Sequence, residues 1–382
     1  MGYDTKTRCI HGDNDGVLFD HPFGAVSTPI YQSATFAHPG VGETSGHNYS
    51  RESNPTRSEL EAIVSSLEGA TDTVATSSGM AAIALFLELF GRGDHLICSE
   101  DLYGGSVRLF DTNGKGHGLE FSYVNTADLR AVEAAILPTT RAIFVETPSN
   151  PTMVISDLKA LSDLAHAHHL LLVADNTFLS PYFCNPLRHG ADVVIHSGTK
   201  FLAGHNDTLA GFLSVKDPEL ARRIRFLYKT TGSCLSPFDS FLVIRGIKTL
   251  AVRMERQQEN ALRIAQWLRL QPKVKRVLYV GLEDHPGREV HERQTTGYGS
   301  MISFEVDTAQ TAVRILERVR LIAFAESLGG VESLITYPLL QTHGDVPTET
   351  RERLGITDRF LRLSIGIEDV GDLIRDLEQA LQ

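Results

Sequence analysis

Short apolar runs alternate with amphipathic stretches through the first two-thirds of the chain. Each run is too short for a typical helix and is apolar on both faces, which is typical of strands buried in a parallel sheet. Five runs predict such strands: 95–98, 141–146, 170–175, 191–196 and 212–215. Apolar residues at helical spacing predict three helices: 57–67, 79–90 and 158–169. Strands that alternate with helices in this way indicate an α/β fold with a parallel sheet.

The two ends of the chain follow different patterns. The N-terminal segment is rich in Gly, Pro, His, Asp and Ser and has no sustained period, so we expect an irregular arm. An arm of this length usually packs on another surface, often that of a neighbouring subunit. A long helical pattern at 241–270 leads into a C-terminal part with mixed elements, namely strands 301–306 and 361–365 and helices 308–319 and 370–381. We therefore predict three parts: the arm 1–50, a large α/β domain 51–245 and a smaller α+β domain 246–382.

The length, charge and cysteine content of the chain limit its domain number, its binding partners and its compartment. The 382 residues exceed one ordinary compact core, which supports more than one domain. Lys and Arg total 36 against 47 Asp and Glu, and the net charge of -11 argues against nucleic acid or an anionic membrane as the partner. The sequence has no apolar run near the ~20 residues of a membrane helix and no signal-peptide core. Its four scattered cysteines suit a reducing compartment, so we expect a cytoplasmic protein.

Polar residues that carry chemistry follow three of the predicted strands. Asp175 ends the strand at 170–175, and Lys200 follows the strand at 191–196. Asn150 lies in the loop that leaves the strand at 141–146. Because ligands of α/β sheets bind at the carboxyl ends of the strands, we expect these side chains to meet at one edge of the sheet.

These groups match the requirements of pyridoxal 5′-phosphate (PLP). Its aldehyde needs a lysine, its pyridine nitrogen a carboxylate and its ring an aromatic neighbour, which Lys200, Asp175 and Tyr103 would supply. Its phosphate needs the N–H groups of a helix N-terminus and hydroxyl donors. Five residues would form this phosphate cup: Ser78, Gly79, Met80, Ser197 and Thr199. We therefore predict a PLP site with Lys200 as its covalent attachment.

Each of these residues also has an ordinary structural interpretation. A lysine after a strand is commonly solvated, an aspartate at a strand end commonly caps a helix, and a tyrosine commonly packs half-buried. The occurrence of Lys200 and Asp175 together favours the cofactor site. The His166, His168 and His169 cluster has no i, i+4 pair, so we predict a solvated helix end and no metal site. The sequence has no GxGxxG, GxxxxGK[ST] or HExxH motif to support a nucleotide or zinc-protease function.

Five motifs together resemble the PLP-dependent enzymes of cysteine and methionine metabolism. They are SSGMAA at 77–82, DLYGGS at 101–106, DNTF at 175–178, SGTKF at 197–201 and ESLGG at 326–330. This family includes cystathionine γ-synthase, γ-lyase and β-lyase, O-acylhomoserine sulfhydrylase and methionine γ-lyase. The resemblance implies the aspartate-aminotransferase-like (type I) fold, with a large, mostly parallel seven-stranded sheet and a smaller C-terminal α+β domain. It also implies a homotetramer built from two tight dimers, acting on small sulfur amino acids.

The resemblance assigns further roles by position. Tyr49 and Arg51 match residues that reach the phosphate of the neighbouring subunit, and a guanidinium suits a phosphate. Arg362 matches the arginine for the substrate α-carboxylate, and Asn150 matches an amide near the cofactor and that carboxylate. Ser327 matches the serine that positions the lysine.

The same resemblance implies how the chemistry proceeds. Lys200 accepts the Cα proton of the substrate, and Tyr103 accepts a proton from the incoming amine. Arg51, Arg362 and Asn150 also have plainer interpretations, as ion-pair partners and as the start of a turn.

The particular reaction remains open at this point. Glu326 occupies a position that resembles the glutamate of γ-synthases and γ-lyases, and Arg108 matches a basic residue for the distal end of a long substrate. Glu52 stands where enzymes that use O-succinylhomoserine often have an arginine. This difference argues against O-succinylhomoserine as the substrate and leaves O-acetylhomoserine and cystathionine as candidates. We expect chemistry at Cγ, by a synthase or a lyase. The alternatives are a β-lyase, a sulfhydrylase, a methionine γ-lyase, an aminotransferase or a non-catalytic protein of the same fold.

Overall fold

The strands of the chain form a large and a small β-sheet. The computed structural model describes residues 3–12, 21–344 and 346–382. The large sheet contains β1 (Asp72–Thr76), β2 (His95–Ser99), β3 (Glu120–Val124), β4 (Thr140–Glu146), β5 (Leu171–Asp175), β6 (Val193–Ser197) and β7 (Gly211–Val215). The small sheet contains β8 (Val274–Leu278), β9 (Met301–Val306), β10 (Ala323–Phe324), β11 (Leu334–Thr336) and β12 (Phe360–Ser364).

Helices cover both sheets. They are α1 (Thr5–His11), α2 (Pro55–Glu68), α3 (Gly79–Leu87), α4 (Gly104–Leu109), α5 (Leu129–Ala134), α6 (Leu158–Ala167), α7 (Ser180–Phe183), α8 (Pro218–Thr231), α9 (Pro237–Ile247), α10 (Leu250–Leu268), α11 (Arg288–Gln294), α12 (Ala309–Arg318), α13 (Thr348–Leu354) and α14 (Val370–Leu381). Short 3₁₀ turns lie at Pro22–Gly24 and Pro186–His189, and a π-helical turn at Phe110–Gly114 follows α4.

The large sheet is mostly parallel, as predicted. Its strand order is β1-β7-β6-β5-β4-β2-β3, and only the pairs that include β7 are antiparallel. Since β7 is antiparallel to both of its neighbours, β1 runs in the same direction as β6. The carboxyl ends of six strands therefore lie along one edge of the sheet, where α/β proteins bind their ligands.

The central strands are buried on both faces. In β4, Phe144 packs on the face that carries α3 and α8, whereas Val145 packs on the opposite face with α2 and α6. The Phe144 ring lies 6.0 Å from that of Phe86 and 5.4 Å from that of Phe110, centre to centre. Burying one such side chain contributes roughly 1.5–3 kcal/mol. This two-sided burial explains the continuous apolar runs in the sequence.

The small sheet confirms the predicted α+β character of the C-terminal part. Its strand order is β10-β11-β12-β9-β8, and its pairs are antiparallel except β10 with β11. Ile315 of α12, together with Leu373 and Leu377 of α14, packs in the core of this part. The domain limits at residues 50 and 245 remain predictions.

The single long helix expected at 241–270 is wrong, because the structure has two helices there. Lys248 and Thr249 separate α9 from α10. The carbonyl of Gly246 accepts hydrogen bonds from the Thr249 hydroxyl at 3.1 Å and from Arg253 Nη2 at 2.8 Å. These side chains satisfy a carbonyl at the end of α9, which allows the chain to turn without losing a buried hydrogen bond. The helix expected at 79–90 is also shorter, since α3 ends at Leu87.

The N-terminal arm is less irregular than expected. It contains the helix α1, and the Asp4 side chain caps this helix by accepting from the Lys6 amide at 2.9 Å. The later part of the arm lies along α2, where the Tyr31 amide donates to Thr56 Oγ1 at 2.9 Å. Residues 1–2 and 13–20 of the predicted arm lie outside the described residues. In the part of the chain that the structure describes, no helix is both long and apolar enough to cross a membrane.

Candidate active site

A cavity of about 310 Å³ opens at the edge where the strands end. This volume lies at the lower end of the roughly 300–1,000 Å³ typical of small-molecule sites. It is lined by Ser78, Gly79, Met80, Ile83, Tyr103, Glu146, Asn150, Asp175, Thr177, Phe178, Ser197, Thr199, Lys200, Leu209, Glu326, Ser327, Leu328, Thr342 and Arg362. The structure thus brings together all but three of the residues predicted for the site.

The N-terminus of α3 forms one wall of the cavity. Ser78 caps the helix, with its Oγ accepting from the Ala81 amide at 3.1 Å. A Cβ atom on Gly79 would lie only 2.8 Å from Ser197 Cβ, so glycine is required for α3 to approach β6. A Cβ atom on Gly211 would likewise lie 2.1 Å from the Ser78 carbonyl. These close approaches place helix N–H groups and the Ser197 side chain around one space, which suits an anion.

Lys200 lies in the cavity beside Ser327. Its Nζ donates to Ser327 Oγ at 2.9 Å. Burial, followed by the charge of Arg362, lowers the pKa of Lys200 to about 8, and the Glu326 carboxylate partly opposes this shift. Ser327 has a φ of 101°, in the region that favours glycine, so its backbone is strained. The Ser327 carbonyl accepts from Arg362 Nη2 at 3.2 Å, which helps to hold the strained residue in place.

Asp175 is a buried carboxylate at the end of β5. The Thr177 amide donates to Asp175 Oδ1 at 3.0 Å. Burial raises the pKa of Asp175, and the hydrogen bonds from Thr177 oppose the increase. A buried carboxylate is stabilised by a cation, and a protonated ring nitrogen in the cavity would supply one.

Glu146 is a second acid in the cavity, and no role was predicted for it from the sequence. It ends β4 directly beside Asp175 in the sheet register. Its Oε2 accepts from the Tyr103 amide at 2.9 Å. Burial, and then the Asp175 carboxylate, raise the pKa of Glu146 well above its usual value. The position of Glu146 at a strand end was the signal in the sequence that could have identified it.

Arg362 is a buried guanidinium that faces the cavity from β12. Its Nη1 donates to Asn150 Oδ1 at 2.8 Å and its Nη2 to Thr336 Oγ1 at 3.2 Å. Its Nε is buried without a hydrogen-bond partner among the described residues. Burial lowers the pKa of Arg362 to about 10, so the side chain stays charged at neutral pH. A charged donor in this setting is suited to an anionic ligand such as a carboxylate.

Tyr103 stands at the mouth of the cavity, at the start of α4. A Cβ atom on Gly105 would lie 2.4 Å from Cε1 of the Tyr103 ring, so the ring rests against the glycine. A Cβ atom on Gly104 would lie 2.0 Å from the Thr342 carbonyl. The DLYGG motif thus allows two close contacts that any larger residue would block.

Three predicted site residues lie outside the cavity of their own chain. The guanidinium carbon of Arg51 lies 5.5 Å from the centre of the Tyr49 ring, and Arg51 Nη1 donates to the Lys229 carbonyl. Arg108 lies on the exposed side of α4 and is not part of the cavity lining. The roles expected for Tyr49, Arg51 and Arg108 are not tested by these positions and stay predictions.

The histidine cluster at the end of α6 is engaged in ordinary contacts. His166 Nε2 lies 3.0 Å from Asp192 Oδ2 at the surface. Across residues 3–12, 21–344 and 346–382, no group of three His, Cys, Asp or Glu side chains is arranged to hold a metal ion.

Residues 6–382 match the family model described as Cys/Met metabolism PLP-dependent enzyme. The chain belongs to this family of PLP enzymes. The predicted resemblance, the fold class and PLP as the cofactor are thereby confirmed. The match spans nearly the whole chain, so both sheets belong to the family fold.

Similar proteins of this PLP family carry three different activities. The chain is 45% identical to cystathionine γ-lyase of Bacillus subtilis (strain 168), over 99% of each protein. It is also 45% identical to a cystathionine β-lyase of Lactococcus lactis subsp. cremoris, over 99% of this chain and 98% of the relative. The crystal structure of cystathionine γ-synthase from Xanthomonas oryzae pv. oryzae in complex with cystathionine matches with a TM-score of 0.96 and 39% identity, covering 100% of this chain and 98% of that chain. The family is therefore established, and the particular reaction is not.

The cavity of this PLP enzyme fits its cofactor. The N-terminus of α3 and the close approach at Gly79 suit the phosphate, and Asp175 is buried where a ring cation would compensate its charge. Lys200 presents a primary amine to the same cavity.

Proposed function

We propose that this enzyme makes or breaks the Cγ–S bond of cystathionine, with PLP attached through Lys200. The observation that carries the attachment site is the convergence of Lys200, Asp175 and the N-terminus of α3 on one cavity. These three groups supply an amine, a carboxylate and an anion site around one cavity of about 310 Å³. When bound, PLP supplies an electron-accepting ring that stabilises negative charge left on a substrate carbon.

Lys200 acts as the base that moves the substrate protons. With a pKa of about 8, roughly half of the Lys200 amines would be neutral at pH 8, whereas an ordinary lysine is almost wholly charged. The hydrogen bond to Ser327 Oγ fixes the direction in which the amine points. Chemistry at Cγ requires protons to leave both Cα and Cβ, so Lys200 must reach both carbons.

Arg362 binds the substrate α-carboxylate, and Asn150 orients Arg362. The hydrogen bond from Arg362 Nη1 to Asn150 Oδ1 holds the planar guanidinium in one orientation. The buried Nε of Arg362 supplies a further donor for a carboxylate. A guanidinium selects a carboxylate because its planar N–H donors match the two carboxylate oxygens in geometry.

The resemblance of the Glu326 position to the glutamate of γ-synthases and γ-lyases supports chemistry at Cγ over chemistry at Cβ. The Glu326 side chain is exposed at the rim of the cavity, where it would meet the distal part of a long substrate. The γ-lyase and γ-synthase among the similar proteins are consistent with this choice. The second candidate is cystathionine β-lyase, which the Lactococcus relative favours at the same identity as the γ-lyase.

We also propose that the working assembly is a homotetramer in which the arm completes the site of a neighbour. The support is the surface position of Tyr49 and Arg51, outside the cavity of their own chain. A test mixes Arg51→Ala and Lys200→Ala chains, each inactive alone. Shared sites would restore part of the activity in mixed assemblies, and a mixture that stays inactive would contradict the proposal.

The reaction is tested by incubating the holoenzyme with L-cystathionine and identifying the products. Cysteine with 2-oxobutanoate would establish γ-lyase chemistry, whereas homocysteine with pyruvate would establish the β-lyase. If L-cystathionine is not consumed, cysteine with O-acetylhomoserine tests the γ-synthase. A keto acid formed without thiol release would instead indicate an aminotransferase, and no turnover of any of these substrates would overturn the proposed function.

A further inference from the structure

His343 lies in a loop of the C-terminal part and contacts two loops of the large sheet. Its side chain is almost wholly buried, and its Nε2 lies 3.2 Å from the Leu102 carbonyl and 3.1 Å from the Asn150 carbonyl. Both partners are acceptors, so Nε2 must carry the hydrogen. Nδ1 then accepts from the Thr342 hydroxyl at 2.8 Å. Burial, followed by the charge of Arg362, lowers the pKa of His343 to about 4, so the ring is neutral at physiological pH.

Each carbonyl that His343 contacts belongs to a residue next to, or within, the candidate site. The Leu102 carbonyl and the Tyr103 amide belong to the same peptide unit, and the Tyr103 amide donates to Glu146 at 2.9 Å. This peptide is therefore held at both ends, by His343 and by Glu146. The Asn150 backbone is likewise held by His343, while its side chain accepts from Arg362. One imidazole N–H thus bridges the loops of Tyr103 and Asn150.

A second observation shows that this contact is built closely into the fold. The Thr342 carbonyl lies so near to Gly104 that a Cβ atom there would be 2.0 Å from it. The backbone before His343 therefore packs directly on the first turn of α4, immediately after Tyr103. The hydrogen bonds of His343 and the close packing of Thr342 on Gly104 therefore both constrain the spacing between these segments.

We propose that His343 is a positioning residue that sets the spacing between the Tyr103 loop and the Asn150 loop, which both line the cavity. Through these two loops, His343 fixes the position of the Tyr103 side chain relative to Arg362. Tyr103 would stack on the cofactor, and Arg362 would bind the substrate carboxylate. This inference rests on the proposed function, because the two loops matter for catalysis only if PLP and an amino acid occupy the cavity. His343 touches neither group and acts through the residues that do.

The test compares His343→Phe with His343→Gln. Phenylalanine keeps a ring but has no donor, which leaves two buried carbonyls unsatisfied, whereas the glutamine amide has two N–H donors and one acceptor. We expect His343→Phe to lower kcat/KM about tenfold or more and to alter the visible circular dichroism of bound PLP. We expect His343→Gln to recover most of both properties. Should the phenylalanine variant not fold, His343→Asn, whose shorter amide cannot reach both carbonyls, takes its place in the comparison.

The matched control is His291→Phe. His291 is also buried and donates from Nε2 to a backbone carbonyl, that of Gly297 at 2.8 Å, but it does not line the cavity. We expect this variant to lose thermal stability while keeping the wild-type kcat, KM and dichroism. Hydrogen exchange on the enzyme stripped of PLP provides a readout independent of turnover. Segments 101–104 and 149–154 should exchange faster in His343→Phe than in His291→Phe.

The outcomes separate this proposal from the proposed function. If His343→Phe loses stability but keeps the wild-type kinetics, dichroism and exchange of both segments, the positioning role is refuted while the enzyme function stands. If the wild-type enzyme turns over none of the proposed substrates, the proposed function fails. The exchange comparison then still decides whether His343 holds the two loops together.

Discussion

Lys200→Met is expected to stabilise the enzyme stripped of PLP. In the folded chain, burial and the charge of Arg362 lower the pKa of Lys200 from 10.5 to about 8. The folded state therefore binds the Lys200 proton less tightly than the unfolded state does. Where Lys200 is protonated in both states, this difference opposes folding, because a charged amine must be kept buried beside the charge of Arg362.

The size and pH range of the effect follow from the two pKa values. A shift of about 2.5 units corresponds to ~3 kcal/mol of folding free energy, at 1.36 kcal/mol per unit. The variant also loses the hydrogen bond from Lys200 to Ser327, worth about 1 kcal/mol, so the net gain is about 2 kcal/mol. The destabilising contribution of Lys200 is complete below pH 8, declines as the pH rises and vanishes above about pH 10.5.

The assay is urea unfolding of both PLP-free proteins at several pH values between 7 and 10.5, at one protein concentration. The difference in unfolding free energy between Lys200→Met and wild type should be largest at pH 7 and shrink steadily. Lys216→Met, a substitution of an exposed lysine, should show no such pH-dependent difference. A Lys200→Met difference that stays constant across this range would refute the reasoning about the lysine.

Three further substitutions test the other parts of the site. Gly79→Ala should weaken PLP binding about tenfold or more in equilibrium dialysis, because the added Cβ would lie 2.8 Å from Ser197 Cβ. The control is Gly116→Ala, whose Cβ would meet nothing within 4 Å and which should bind PLP as the wild type does. Arg362→Lys should raise KM about tenfold to a hundredfold and change kcat less, since an ammonium cannot pair with a carboxylate through two parallel hydrogen bonds. Asp175→Asn should lower kcat about a hundredfold or more in steady-state assays, because an amide does not stabilise a ring cation, and an unchanged kcat would exclude this role.

The strands of the large sheet that were found from the sequence are those with continuous apolar runs. β4 and β5 are continuous apolar runs because helices cover both of their sides, and the sequence predicted them within one residue of their observed limits. The edge strands β1 and β3 were missed, since Asp72, Thr73 and Thr76 interrupt the first and partial exposure mixes the pattern of the second. The break between α9 and α10 was missed because the helical spacing of apolar residues continues across it, and the hydrogen bond from Arg253 to the Gly246 carbonyl leaves no mark in that spacing.

In the site, too, residues with a local sequence signal were predicted, and residues that depend on distant contacts were not. Lys200, Asp175 and Ser78 were identifiable because each stands at the end of an element, where α/β sheets collect their functional groups. His343 was not identifiable, because it lies 193 residues from Asn150 and 241 from Leu102, in a loop without periodicity. Glu146 stood at a strand end, yet its role became visible only when the structure placed it beside Asp175 and the Tyr103 amide.

The central claim is that Lys200 carries the cofactor, and it is tested most directly by trapping the attachment. The holoenzyme is reduced with borohydride, digested and mapped by mass spectrometry. The account predicts one reduced PLP adduct, on the peptide that contains SGTK at 197–200, with the modified residue at Lys200. An adduct on another lysine, or the same adduct yield and visible absorption band in Lys200→Met, would contradict the account.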